Sequence, residues 1–190
     1  MYYDFSNKKY LKEICKFTNK IQSVKNAKKE INAYNNIKYD NSIKGLWAIF
    51  GKGEGNNNKL PNVDFNKWIC LEVGSNENIK SELRGILNDM ISKPGKISKS
   101  STYHPNLKLY EFNTYMDRAS IKYRTMFDMC NQFVIYEIDV DEYIKENGTY
   151  DIVNYAEVKF AHDNKALFWN PSPAVYGNQE RHIYETKFKN

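Results

Sequence analysis

The stretch WICLEVGSNENIKSELRGILNDMI, residues 68–91, decides the fold class. Its first part, Trp68–Val73, is short, apolar and rich in large side chains, as a strand requires. Gly74-Ser75-Asn76 closes that run. From residue 77 the pattern changes. Ile79, Leu83, Ile86, Leu87 and Met90 recur at steps of three and four, which places them on one face of a helix over 77–91. Lys93-Pro94-Gly95 stops that helix.

Upstream, Ile43–Phe50 is a second short, aromatic strand. Between the two strands, Gly51 to Lys59 (GKGEGNNNK) reads as a flexible loop, reinforced by Pro61. Residues 6–33 predict a long helix, since Leu11, Ile14, Phe17, Ile21 and Val24 recur at helical steps, with Ser6 as N-cap. Downstream, 92–105 is a basic, Ser-rich loop and 107–112 a strand. Residues 114–130 form a helix carrying Met116, Ile121, Met126 and Met129, and Gln132–Val140 is a clear strand. A short helix then starts at Asp139 or Asp141 and ends at Gly148. A last helix, Ile152–Phe168, stops at Asn170-Pro171. These elements predict an α+β fold: a small, mostly antiparallel sheet flanked by helices, with an N-terminal helical extension. The extension covers residues 1–40 and the core 41–190, within a single compact domain.

At 190 residues the chain can bury a core without disulfides or metal staples. Its three cysteines, Cys15, Cys70 and Cys130, are odd in number and far apart, which predicts reduced, buried thiols and a cytoplasmic setting. No apolar run approaches the ~20 residues of a membrane span. The start, Met-Tyr-Tyr-Asp-Phe, lacks the pattern of a secretory leader. Net charge is +5, and it is unevenly spread: 19 basic against 10 acidic residues through Lys108, then 9 against 13. The first part suits a polyanionic partner, because lysines that neutralise phosphates release counterions. An ordinary solvated Lys-rich surface has the same composition.

Several chemistries have no support in the motifs. The glycine loop lacks the Gly-Lys-Ser/Thr that opens a phosphate-binding helix. His104, His162 and His182 share no metal-ligand spacing with one another or with a cysteine. No Gly-x-Ser-x-Gly elbow is present. Four features remain. Gly45-Leu46-Trp47 enters one strand, and Glu72-Val73-Gly74-Ser75 leaves the next, ahead of a helix carrying Arg84. Glu157 lies on the last helix, and Asn170 follows it by thirteen positions in Leu167-Phe168-Trp169-Asn170.

This set resembles the GIY-YIG nuclease superfamily, in particular its Eco29kI-like restriction endonuclease branch. The resemblance spans about residues 43–181. Gly45-Leu46-Trp47 stands for the first motif and Glu72-Val73-Gly74 for the second. Arg84 stands for the helix arginine, with Asn88 one turn on. The tail from Trp169-Asn170 through Tyr176-Gly177-Asn178 to Arg181 is similar to the end of that branch. Both signature tyrosines are replaced, by Trp47 and Glu72.

The resemblance implies a metal-dependent DNA endonuclease. Glu157 would hold one Mg²⁺ (or Mn²⁺), Arg84 would stabilise charge on the phosphate, and Asn170 would orient Glu157 or a bound water. Glu72 or His104 would activate water. Glu72 is equally open to a second cation contact or a turn role. Lys93, Lys96 and Lys99 in the basic loop, with Arg181, would contact the nucleic-acid backbone, and a homodimer would suit a palindromic site. Loss of both tyrosines leaves a second reading open: a catalytically inactive relative that binds nucleic acid or protein, for example in phage–host conflict.

Overall fold

A computed structural model describes residues 4–6, 8–34, 45–55, 63–92, 118–147 and 153–169. Among the described residues four strands form one sheet: β1 (Leu11–Thr18), β2 (Gly45–Glu54), β3 (Ile69–Asn76) and β4 (Cys130–Ile138). Their order is β1-β4-β2-β3, and every neighbouring pair is antiparallel. The described helices are α1 (Ile21–Ala33), α2 (Ile79–Ile91), α3 (Arg118–Met129), α4 (Val140–Asn147) and α5 (Val153–Asp163). The fold is α+β, as predicted.

The period-two alternation of the central strands sorts side chains into two cores. On one face Trp47, Ile49, Phe133 and Ile135 meet α1, α2 and α3 through Val24, Ile31, Leu83, Leu87, Tyr123 and Met126. On the other, Leu46, Phe50, Val134 and Ile138 meet α4 and α5 through Tyr143, Ala156 and Phe160. Both central strands are therefore covered on both sides, which explains why they read as nearly continuous apolar runs.

Local chemistry sets the helix starts. Asn78 caps α2 by accepting from the Ser81 amide at 3.0 Å, and Asp139 caps α4 by accepting from the Glu142 amide at 3.1 Å. Gly74 permits the hairpin to close beneath Trp47: a Cβ there would lie 2.3 Å from the indole ring. No helix among the described residues is long and apolar enough to cross a membrane.

Three expectations are corrected. Residues 6–33 are not one helix, because 11–18 form edge strand β1 and only Ile21–Ala33 is helical. The cause is a β-bulge: the register of β1 on β4 skips Ile14, so Ile14 and Cys15 are both buried beside Phe17. That irregularity breaks strict alternation and mimics helical spacing. Ile21, placed on the apolar face by periodicity, is 55% exposed. Ser6 caps no helix and bonds Asp4. The N-terminal segment is thus woven into the sheet.

The glycine loop also begins later than expected, since Gly51–Glu54 continue β2 against β4, with Gly53 at φ 82°. Helix α5 ends at Asp163, ahead of Asn170-Pro171. There Asn164 donates its side-chain amide to the Phe160 carbonyl and Lys165 takes φ 49°. The predicted strand 107–112 and Met116 lie outside the described residues.

Candidate functional site

Strand β3 is an edge strand with a bulge of its own. Ile49 pairs with Glu72 and Phe50 with Cys70, so Leu71 is the extra residue. Directly opposed side chains share a face, so Glu72 points with Ile49 and Leu71 into the core under α2 and α3. The free edge at this bulge is covered by the chain leaving α5: Leu167 and Phe168 donate backbone amides to the Cys70 and Leu71 carbonyls at 3.1 and 2.7 Å. An irregular stretch of an exposed edge thereby becomes an interior, and it carries a carboxylate.

Glu72 is 5% exposed. Its Oε1 accepts from Lys122 Nζ of α3 at 3.0 Å, while Oε2 is buried and meets no hydrogen-bond donor among the described residues. Burial pushes its pKa from 4.5 up to about 7; Lys122 opposes that rise, and the charges of Glu157 and Glu82 add to it. Tyr123 lies beside Lys122, whose ammonium is 4.8 Å from the ring centroid. Burial holds the Tyr123 hydroxyl well above its usual range, reinforced by Glu72, Glu82, Asp89 and Glu157.

Two more carboxylates occupy this face. Glu82 of α2 accepts from the indole N–H of Trp47 at 2.8 Å. Glu137 of β4, directly opposite Trp47, accepts from the Tyr34 hydroxyl. Burial first, then Glu137, raises the Tyr34 pKa. The thiols offer no nucleophile: burial pushes Cys15 and Cys130 up to about 12, and Cys70 beside Glu72 is also raised.

Glu157 belongs to the other face. It lies on α5 among the second core, 5% exposed. Ser75, which opposes Leu46 of that core, donates its hydroxyl to Oε2 at 2.6 Å, and Trp169 donates its indole N–H to Oε1 at 3.0 Å. Glu72 and Glu157 thus approach β3 from opposite sides of the sheet, near enough for one charge to raise the pKa of the other. Arg84 sits on the exposed side of α2 and makes no hydrogen bond or ion pair among the described residues. Asn88, one turn on, accepts from Lys28 of α1. Asn170, His104, Lys93, Lys96, Lys99 and Arg181 lie outside the described residues.

Sequence patterns did not single out Lys122, Glu82, Glu137 or Tyr34. Glu137 carried a signal, as the one charge inside the apolar run Phe133–Ile138. Lys122 carried none, because its role depends on how α3 approaches β3.

Among the described residues no three His, Cys, Asp or Glu side chains gather as a metal set. The donor chemistry at Glu157 is that of a single carboxylate, which fits a hard cation held mainly by water and phosphate oxygens. Ser75 and Trp169 donate to its two oxygens and hold the carboxylate in one orientation. No family model matches the chain, and no curated protein or solved structure matches it either.

Proposed function

We propose that this chain is a divalent-metal-dependent DNA endonuclease of the GIY-YIG type. The observation that carries the reading is Glu72, a buried carboxylate at the bulge midway along the second hairpin strand whose Oε2 no described donor takes. A general base works best with a pKa near the operating pH, and burial brings Glu72 to about 7. The chain order also supports the reading: hairpin β2–β3, then the Arg84 helix, then the Glu157 helix.

Arg84 projects from α2 into solvent, where a guanidinium can meet a phosphate with paired donors. Ser75 and Trp169 keep the Glu157 carboxylate in one orientation. One Mg²⁺ or Mn²⁺ bound at Glu157 would supply Lewis-acid stabilisation of charge on the phosphate. The excess of basic residues through Lys108 supports DNA as partner, a homodimer would serve a palindromic target, and three unpaired, buried cysteines support a cytoplasmic setting.

A plasmid-nicking assay tests this reading. Wild type should nick supercoiled DNA in Mg²⁺ or Mn²⁺, chelation should abolish nicking, and Glu157→Gln should lower it by about 10² or more. Absence of metal-dependent cleavage across varied DNA substrates would refute it. The second reading, a catalytically silent binding relative, is favoured by one observation: both Glu157 oxygens already accept protein hydrogen bonds. It predicts salt-sensitive mobility shifts with DNA and no nicking under any metal.

A further inference from the structure

Lys122 and Glu72 form an unequal pair. The lysine side chain is 26% exposed and the carboxylate side chain 6%, at 3.0 Å. One end of the bridge is thus within reach of solvent solutes and the other is sealed in. Around Glu72 the charged and titratable groups come from every packed element: Glu82 from α2, Lys122 and Tyr123 from α3, Glu157 from α5, and Cys70 from β3 itself. Among the described residues Lys122 is the one cation in that set; the others are anionic when they ionise.

We infer that Lys122 is a positioning residue for Glu72 and links it to arriving anions, its ammonium being shared between the buried carboxylate and a phosphate oxyanion from solvent. The inference rests on the nuclease reading only in naming a phosphodiester as that oxyanion. An opposite charge within a few ångströms holds a carboxyl pKa down by about 1–3 units. A phosphate that draws Lys122 outward removes that restraint and adds its own negative charge. Glu72 then binds its proton more tightly, so an arriving oxyanion is registered at the buried carboxylate as an upward shift of its titration. Its Oε2, meeting no described donor, is the atom on which that proton would rest.

The test is a carbon-13 NMR titration of the Glu72 carboxyl in the full chain, assigned by its loss in Glu72→Gln. In Lys122→Met the midpoint should rise by about one pH unit or more, and Lys122→Arg should restore it. In wild type, a saturating short DNA duplex or inorganic phosphate should also raise the midpoint, and in Lys122→Met neither should. A response to the duplex alone identifies a polymeric phosphodiester, and a response to phosphate alone identifies a free oxyanion; either supports the link. An unchanged midpoint in Lys122→Met overturns the proposal. A wild-type midpoint unmoved by both probes overturns it as well, whether or not that variant folds. The readout needs no turnover. An absent nicking activity with this response intact refutes the nuclease reading and leaves the Lys122 link standing.

Discussion

Replacing Glu72 by Gln should make stability depend less on pH, and the size of the change follows from the carboxylate's surroundings. Glu72 is 5% exposed, and its pKa rises from 4.5 in an open chain to about 7 in the fold. A carboxyl whose folded pKa is raised stabilises the fold fully below pH 4.5, and that contribution is lost as pH rises through 7. At about 1.4 kcal/mol per pH unit, a rise of roughly 2.5 units corresponds to about 3 kcal/mol. Lys122 is already counted in that shift, because it opposes the rise.

Glutamine keeps the shape and never ionises. The stability of Glu72→Gln relative to wild type should therefore climb by about 3 kcal/mol between pH 4 and pH 8. For a chain of this size that is a relative gain in Tm of about 6–12 °C at the alkaline end. Urea unfolding of both proteins at half-unit pH intervals measures it, with equal m-values as the check on comparability. A stability difference that stays flat from pH 4 to 8 would refute the assignment of a buried, weakly compensated carboxylate at the β3 bulge.

Gly74→Ala should destabilise the protein by about 1–3 kcal/mol in urea unfolding and alter Trp47 fluorescence, because its Cβ would lie 2.3 Å from the indole ring. Asp139→Ala removes the cap of α4 and its pair with Lys12 at 3.0 Å, and should lower stability by about 1 kcal/mol in the same assay. Arg84→Ala, on the exposed side of α2, should change stability by less than about 0.5 kcal/mol. If the proposed chemistry is right, that same variant should lower plasmid nicking by about 10².

The parts of the fold legible in sequence are those where one local rule acts alone. Strands β2 and β4 are covered on both faces, so they appear as apolar runs. Helix α2 buries Ile79, Leu83, Ile86, Leu87 and Met90, the residues its periodicity picks out. Legibility failed where one extra residue disturbed a pattern. In β1 the bulge at Ile14 turned a strand into an apparent helix. In α5 the periodic apolar residues continued past Asp163, because Ala166, Phe168 and Trp169 stay buried while the chain runs along the β3 edge instead of coiling.

By itself, then, the sequence determined the α+β class, the β2–β3 hairpin and its α2 partner, because alternation and helical spacing depend only on neighbours along the chain. Its motifs also singled out Glu72, Arg84 and Glu157 as candidate site residues. Tertiary structure decided what surrounds them. The β3 bulge turned Glu72 inward, α3 delivered Lys122 to it, and the segment after α5 sealed the edge and brought Trp169 to Glu157. A carboxyl pKa is brought near neutrality by burial and by charged neighbours, and both come from elements far apart in the chain.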